Sequence, residues 1–390
     1  MLHRFLSRYA PSRPTLRRVF GMAYPLFAGW LVLYVARLFY GEMLTQTGGE
    51  WSAPLDDVFI HFDFARSTAR GYPFQWSEGN GYSSGNTSLT YPFVLALGYW
   101  VVFRDTYLMV WAAIVACCCV FAFLLVVPRL ARGLPPSARF LLPIAVFSVG
   151  ALSWSLFSGM EVAWFLAVIA LLSPRTRASA AILLSSAVSF LLLVAMNGQV
   201  RWQNERYTMP AVAWLLVAAA LGLGVLLFRP RSVLPPLTAV PRLTLAVAAV
   251  VAFVIVQTPR TRDQISFFAR ASRNIRDQHI TTGRLLRHHM RPPPHRVLVG
   301  DAGAIIYASD LPGLDIIGLG GFRGLPFARA SSHGPGAIIE LIERIPPEDR
   351  PDVFAIYPSW WDVIPIWFGK QIATVPVEGN VICGGNEKVI

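Results

Sequence analysis

The chain has 390 residues, of which 54% are hydrophobic and only 14% are charged. Its mean hydropathy of +0.49 excludes an ordinary soluble protein, because most of its length is apolar enough for lipid. The formal charge is +12, but the basic residues stand at the ends of apolar runs rather than on one face, which argues against nucleic acid as a partner. The four cysteines have no spacing typical of a disulfide framework or a zinc site.

Apolar runs of about 20 residues predict transmembrane helices. The clear runs are 21–40, 107–127, 139–157, 178–196, 207–228 and 243–256, and two shorter ones are 91–103 and 161–172. The sequence thus predicts an α-helical polytopic membrane protein with about seven to eight transmembrane helices. At least one short run is expected to be re-entrant or to lie on the membrane surface.

A cytoplasmic N-terminus (residues 1–20) is predicted from the basic residues ahead of the first run, by the positive-inside rule. They are Arg4, Arg8, Arg13, Arg17 and Arg18. The first loop, 41–91, is then outside, and an odd number of crossings places the C-terminus outside as well. We therefore expect an inner-membrane protein in which residues 21–257 form the membrane domain. Its high arginine, alanine and proline usage is compatible with a bacterial source.

Residues 258–390 are predicted to form a small soluble periplasmic α/β domain. The segments HRVLVGD, LDIIGLGG and DVFAIYPSW have the composition of buried strands, and AGAIIYASD and residues 337–344 alternate with them as helices. In VGDAG, Asp301 and Gly303 follow a strand at a helix start, where anions bind. No nucleotide-binding loop or nucleophile elbow accompanies them, so independent catalysis by this domain is not expected.

The first outside loop carries the strongest candidate for chemistry. Its segment DDVFIHFDFARSTARG predicts a helix that starts at Asp56 and Asp57 and ends at Gly71. One carboxylate could take a proton from an attacking hydroxyl while the other orients it or holds a divalent cation, Mg²⁺ or Mn²⁺. The alternative is that Asp56 caps the helix and Asp57 complements its dipole. The helix N-terminus should also make either carboxylate a weaker base.

Other polar residues have two interpretations each. His61 could orient Asp57 at i, i+4, or form a plain surface pair with it, which we favour. Arg66 and Arg70, one turn apart, could clamp a phosphate or extend to lipid headgroups. Glu161 is either a functional carboxylate at membrane depth or a mark of a span boundary.

A second basic motif, QNERYTMP, stands at a predicted membrane edge. There Arg206 could hold a phosphate, or Arg206 and Tyr207 could anchor the helix. The histidines at 288, 289 and 295 lie in a basic, proline-rich stretch, so we do not expect them to bind metal.

These residues together resemble the GT-C glycosyltransferases, in particular the bacterial branch related to mannosyl- and arabinofuranosyltransferases. The resemblance rests on the double-Asp helix with its aromatic Gly/Ser/Thr-rich turn (81–92), on Ser158-Gly159-Met160-Glu161, on Arg206-Tyr207 with Pro210, and on VGDAGAIIYASDLPGLDIIGLGG. It implies a GT-C fold, a polyprenyl-phosphate sugar donor and an acidic residue of the first outside loop as base.

Carried over by position, Asp56 or Asp57 would be that base, and Arg206 would lie near the donor phosphate. Tyr82, in the aromatic turn, is a further candidate for substrate contact. The predicted function is transfer of a sugar to a periplasmic glycan, lipid or protein. The middle region is shorter than is usual in the family, so the alternative is a non-catalytic relative that binds a lipid-linked glycan or acts in envelope assembly. A transporter is disfavoured, since no matching pair of broken spans occurs.

Overall fold

The computed structural model describes residues 13–130, 135–172, 185–189, 191–192, 204–228, 239–361 and 363–390. Arg4, Arg8 and most of the predicted span 178–196 lie outside these residues. The described part is mostly helical, with a small region of strands near the C-terminus.

The helices of the first two thirds of the chain are mostly apolar. They are α1 (Arg13–Gln46), α2 (Asp57–Ala69), α3 (Tyr91–Val101), α4 (Leu108–Leu130), α5 (Leu141–Ser148), α6 (Gly150–Phe157), α7 (Val162–Leu172), α8 (Met209–Phe228) and α9 (Ala239–Asn274). Within the described residues, three helices are long and apolar enough to cross a membrane: Arg18–Gln46, Asp105–Pro128 and Pro241–His288. A fourth span is present if α5 and α6 are counted as one. The helices α3, α7 and α8 are also apolar, but their described apolar segments of 10–17 residues are shorter than those three helices.

The predicted span 139–157 is not one continuous helix, because the chain bends by 79° between α5 and α6. Val149 has an extended backbone there. The Thr261 hydroxyl donates a hydrogen bond of 2.8 Å to the Ser148 carbonyl, which the break leaves without its helical partner. At Gly150 a Cβ would lie 2.7 Å from the Thr261 Cα, so only glycine allows this approach. The segment is therefore a broken span or a re-entrant loop.

The chain divides into two compact units. The first comprises Met1–Leu38, Cys117–Ser155 and Val162–Gln264. Inside it, Phe123 packs edge-on against Trp214, with ring centroids 5.4 Å apart. The Tyr24 hydroxyl donates to the Leu124 carbonyl at 2.8 Å. Aromatic packing and a satisfied hydroxyl thus join the apolar helices of this unit.

The second unit comprises Phe39–Ala116, Leu156–Glu161 and Ile265–Ile390. It therefore combines the predicted outside loop with the predicted C-terminal domain. After α9 the chain continues through a π-helical turn (Ile275–Ile280) into α10 (Thr281–His288). The later helices are α11 (Ala304–Ser309), α12 (Phe327–Ser331), α13 (Pro335–Glu343), α14 (Pro358–Trp361) and α15 (Val363–Phe368).

Each of the three predicted segments contains a strand: β1 (Val297–Val299), β2 (Gly313–Asp315) and β3 (Val353–Ala355). The second strand is displaced from the prediction, because residues 316–321 of LDIIGLGG lie outside it. They form a parallel sheet in the order β2-β1-β3. The strands β4 (Thr374–Pro376) and β5 (Glu387–Val389) pair antiparallel. Successive residues of β1 face opposite sides, so Val297 and Val299 join one core and Leu298 the other.

The predicted loop helix is confirmed as α2. Asp57 lies in its first turn, where a carboxylate favours the helix dipole, and Gly71 follows its end with a φ of +95°. Residues 58–67 are all buried, so α2 is not a surface helix. Its Ile60 and Phe64 belong to the same core as Val297 and Val299 of the sheet. This packing holds the start of α2 against the α/β elements.

Candidate functional site

The Asp56 carboxylate lies immediately before α2 and forms the centre of a buried polar cluster. Its Oδ1 accepts a hydrogen bond of 2.9 Å from the Ala304 backbone N–H and lies 2.7 Å from His279 Nδ1. The residue is only 8% exposed, and Oδ2 is buried without a hydrogen-bond partner among the described residues. The expectation that Asp56 caps α2 is wrong, since its side chain makes no capping hydrogen bond.

The start of α11 approaches Asp56 closely because of one glycine. Gly303 has a φ of +142°, and a Cβ on it would lie 2.4 Å from the Asp56 carbonyl oxygen. The sequence predicted an anion at this helix start, and the anion that the structure places there is the Asp56 carboxylate. Only glycine at 303 permits this arrangement.

His279 extends the cluster from the π-helical turn Ile275–Ile280. Its Nε2 lies 2.6 Å from the Tyr357 hydroxyl oxygen, which in turn lies 2.7 Å from Gln278 Oε1. The Gln278 amide nitrogen donates to the Gly385 carbonyl at 3.2 Å, so its oxygen faces Tyr357. Asp56, His279, Tyr357 and Gln278 thus form a continuous chain of hydrogen bonds.

Every hydrogen bond of this chain is made when the Asp56–His279 pair holds a proton between Asp56 Oδ1 and His279 Nδ1. His279 then donates from Nε2 to the Tyr357 oxygen, and Tyr357 donates to Gln278 Oε1. When the pair loses a proton, His279 keeps its hydrogen on Nδ1 and accepts from Tyr357 at Nε2, and the hydrogen bond from Tyr357 to Gln278 is lost. Burial raises the pKa of Tyr357 far above its usual value, so its hydroxyl stays protonated in both arrangements. Release of a proton from the pair Asp56–His279 is therefore coupled to loss of the Tyr357–Gln278 hydrogen bond.

Asp301 and Lys388 complete the cluster. Asp301 Oδ2 lies 3.6 Å from His279 Nε2 and 3.5 Å from Lys388 Nζ. Lys388, on β5, is fully buried, and its ammonium lies 4.1 Å from the centroid of the Tyr357 ring. A buried ammonium is strongly disfavoured unless anions lie near it, so Lys388 is the counter-charge of the two carboxylates.

Burial determines the acidity of both carboxyls. It raises the pKa of Asp56 to about 7, while the nearby Lys388 and the Ala304 N–H act in the opposite direction. Burial likewise raises the pKa of Asp301 to about 6, with a further increase from Asp56. The expected weakening of the base by a helix N-terminus is therefore wrong for Asp56, because the loss of solvation outweighs it.

The donor atoms of Asp56, His279 and Asp301 lie within 4.8 Å of one another, and among the described residues they are the group that could hold a metal ion. The sequence had suggested Asp56 with Asp57 for this role. Two carboxylates and an imidazole suit Mn²⁺ or Zn²⁺. However, both His279 nitrogens are hydrogen-bonded, and Lys388 already supplies positive charge. The cluster fits a cation only if His279 gives up one of its two hydrogen bonds. Asp56 Oδ2 is the atom best placed to bind the cation.

Another face of α2 carries a second polar group. His61 is 2% exposed, and its Nε2 lies 3.0 Å from Glu161 Oε2, so the predicted surface position of His61 is wrong. Thr87 donates to Glu161 Oε1 at 2.8 Å. Asp57 precedes His61 by one turn and is half-buried. The two adjacent aspartates therefore lie in different surroundings.

The two arginines of α2 are held by acidic residues. Arg66 is buried, with Asp63 Oδ1 at 2.8 Å and Asp310 Oδ1 at 3.1 Å, so the expectation that it extends to lipid headgroups is wrong. Arg70 lies 3.0 Å from Glu78 and 2.9 Å from Asp310. These contacts leave Arg66 with a role in fixing α2 beside α11.

The remaining candidates lie apart from these contacts. Tyr82 is 82% exposed in the aromatic turn. Arg206 and Tyr207 belong to the first compact unit, just ahead of α8. There the Arg206 guanidinium is buried, lies 4.5 Å from the Tyr207 ring centroid and donates a hydrogen bond to the Tyr207 hydroxyl.

Sequence reasoning missed His279, Tyr357 and Lys388. One signal was available for Lys388: it is one of two lysines in a chain whose 34 basic residues are otherwise arginine. A second signal was available for Tyr357. Asp301 and Tyr357 each stand two residues after the end of adjacent parallel strands, β1 and β3. Side chains at that edge of a parallel sheet converge, and ligands commonly bind there.

Comparison with known proteins yields one family match. Residues 273–384 match the family described as Domain of unknown function (DUF8728). The matched segment includes His279, Asp301 and Tyr357 but neither Asp56 nor Lys388. No curated protein and no solved structure matches the chain.

Proposed function

We propose that the protein is a membrane glycosyltransferase of the GT-C type, which transfers one sugar from a polyprenyl-phosphate donor to an envelope acceptor. In this proposal it has seven to eight spans in the bacterial inner membrane, with residues 41–91 and 258–390 on the periplasmic side. One observation carries it: a buried carboxyl, Asp56, with a pKa raised to about 7, lies 2.7 Å from the imidazole nitrogen Nδ1 of His279.

The position of Asp56 supports this assignment. It stands ten residues after Gln46, the end of the first candidate span, and therefore near the level at which a lipid-borne substrate presents its headgroup. A general base works best when its pKa is near the operating pH, and Asp56 meets that condition whereas an ordinary aspartate does not. Its Oδ2, which has no hydrogen-bond partner within the described part of the chain, is the atom that would accept the proton.

The proposed reaction is a displacement at the anomeric carbon. The acceptor hydroxyl gives its proton to Asp56, and its oxygen forms a bond to the anomeric carbon. The bond from that carbon to the phosphate oxygen breaks, and its electron pair leaves with the polyprenyl phosphate. Asp301, with a partly exposed carboxylate beside His279, would orient the acceptor hydroxyl.

The test is sugar transfer by the full-length protein in lipid nanodiscs. Wild type, Asp56→Asn and Asp57→Asn are supplied with radiolabelled polyprenyl-phosphate sugars and an envelope extract as acceptor. We expect Asp56→Asn to lower the rate by at least about 100-fold, the usual contribution of a general base, and Asp57→Asn to have a smaller effect.

The competing function is that of a non-catalytic glycan-lipid-binding or assembly protein. Binding of the lipid-linked sugars without transfer, unchanged by either substitution, would establish that function and reject the enzyme. Arg323→Met is a suitable control, because Arg323 forms an exposed salt bridge with Asp349 away from the cluster.

A further inference from the structure

We infer that a cavity beside α2 binds a neutral sugar ring, and hence that the acceptor of the proposed reaction is a glycan. The role as acceptor site rests on the proposed function, whereas the binding of a sugar does not. The cavity has a volume of about 330 Å³, which is within the range of small-molecule sites. It lies in the second unit, between α2, the turn 83–89 and the start of α3.

The lining has the two kinds of surface that a sugar ring requires. Phe74 and Phe93 stand at the cavity with their rings edge to face, 5.5 Å apart, and each is about 40% exposed. An aromatic face carries partial negative charge and attracts the C–H groups on one face of a sugar. The lining also includes Thr68, Ser84 and Asn86, which supply hydroxyl and amide groups for the sugar hydroxyls.

Several of these polar groups keep hydrogen-bonding capacity. Asn86 Oδ1 accepts from the Ser88 N–H at 3.1 Å, which fixes the side chain and leaves its NH₂ as a donor. Within the described residues, neither that NH₂ nor the side-chain hydroxyls of Thr68 and Ser84 bind another protein group. A ligand with hydroxyl groups would satisfy them.

The charge of the lining selects against other ligands. None of the described residues that line the cavity is charged, so a phosphate or carboxylate would find no counter-charge. An acyl chain would bury the hydroxyls and the amide without partners, which is costly. The class of ligand that fits the cavity is therefore a neutral one with an apolar face and several hydroxyl groups. A glycan has both features.

The backbone around the cavity is held in an uncommon conformation. Phe74 has a φ of +64°, in the left-handed region that a bulky residue rarely adopts. Its carbonyl accepts a hydrogen bond of 3.1 Å from the Ser83 N–H, which closes the loop. Such conformations cluster at ligand sites, where the surroundings hold a side chain in a required position. Here the position is that of the Phe74 ring at the cavity.

The cavity lies on the same face of α2 as Asp57. Asp57, His61, Phe64 and Thr68 are spaced at i, i+4, i+7 and i+11, and the last two line the cavity. At 1.5 Å per residue, Phe64 and Thr68 stand about 12 and 18 Å along the axis from Asp56, the base of the proposed reaction. The cavity would therefore hold a sugar of the acceptor beyond the one that reacts.

Saturation-transfer NMR on the full-length protein in nanodiscs tests the inference without any transfer reaction. The probes are methyl β-D-glucopyranoside, methyl α-D-mannopyranoside, methyl β-D-galactopyranoside and methyl α-D-arabinofuranoside, with sodium octanoate and inorganic phosphate as competitors. We expect at least one glycoside to bind and neither competitor to displace it.

Three substitutions probe the site. Thr68→Val removes a hydroxyl at constant shape, Asn86→Asp keeps the acceptor oxygen but removes the donor, and Phe93→Ala removes a ring. Each should weaken glycoside binding by about fivefold or more. Leu97→Ala, one turn further along α3 and 50% exposed, is the matched control and should leave binding unchanged.

The outcomes separate this inference from the proposed function. Glycoside binding that the three variants weaken supports the sugar site, whether or not transfer is observed. Binding by no glycoside, equal binding by all variants, or displacement by octanoate or phosphate would overturn it, even if the protein proves to transfer sugar.

Discussion

Lys388→Met should shift the acidity of the Asp56 cluster in a direction and by an amount that the structure defines. The ammonium lies 3.5 Å from Asp301 Oδ2 and lowers the pKa of both Asp301 and Asp56. Two unit charges about 4 Å apart interact with about 4 kcal/mol at an effective dielectric constant of about 20. At about 1.4 kcal/mol per pKa unit, loss of the ammonium should raise the pKa of Asp301 by up to about 3 units.

The rate of transfer should report the same change. Because the base must be deprotonated, the wild-type kcat/KM should increase with pH through about 7, the pKa of Asp56. In Lys388→Met the increase in kcat/KM should occur at a pH at least about one unit higher. An infrared titration of the protonated carboxyl band measures the shift even if no transfer is found.

The control is Lys370→Met, since Lys370 is the other lysine of the chain and is exposed. It should leave the carboxyl titration unchanged. If Lys388→Met folds, with an unaltered circular dichroism spectrum, and titrates as wild type does, then Lys388 is not the counter-charge of the cluster and the electrostatic reasoning fails.

Three further results are expected. Asp56→Asn should raise the Tm at pH 8 but not at pH 4. A carboxyl whose pKa is higher in the folded than in the unfolded protein destabilises the fold increasingly as the pH rises from the unfolded to the folded pKa value. Equal changes in Tm at both pH values would contradict the raised pKa of Asp56. Tyr357→Phe should slow transfer by about tenfold with little change in KM, since it interrupts the hydrogen bonds from His279; an unchanged kcat would show that the hydrogen bond from Tyr357 to His279 does not assist the base. Lys388→Met should also bind Mn²⁺ more tightly than wild type by electron paramagnetic resonance titration, and weaker binding would show that the cluster is not the cation site.

The helix α2 and the three parallel strands could be predicted because their signals are local. The acidic start, the apolar run and Gly71 define α2, and short β-branched runs define the strands. The bend at Val149 could not be predicted, because both sides of it are equally apolar. What marks it is the contact of Gly150 with Thr261, a residue more than a hundred positions away.

The candidate site was predicted only in part for the same reason. Asp56 could be selected from its neighbours in the sequence, and Asp301 from its position after a strand. His279 contacts Asp56 although 223 residues separate the two in the sequence. Lys388 is connected to Asp56 through Asp301. No spacing rule connects such residues. The burial that raises the pKa of Asp56 also depends on packing that composition does not specify.

The adjacent aspartates do not share one task, because α2 directs them to different faces. Asp56 faces the sheet side, where Ala304 and His279 hold its carboxylate and burial makes it a base at neutral pH. Asp57 stands about 100° around the helix, on the face that continues through His61 to the neutral cavity. The base Asp56 and the sugar-binding cavity lie on different faces of α2, so α2 must be rigid to keep their relative positions fixed. The burial of α2 from residue 58 to residue 67 supplies that rigidity, so packing around α2, rather than the Asp pair alone, determines whether the site can work.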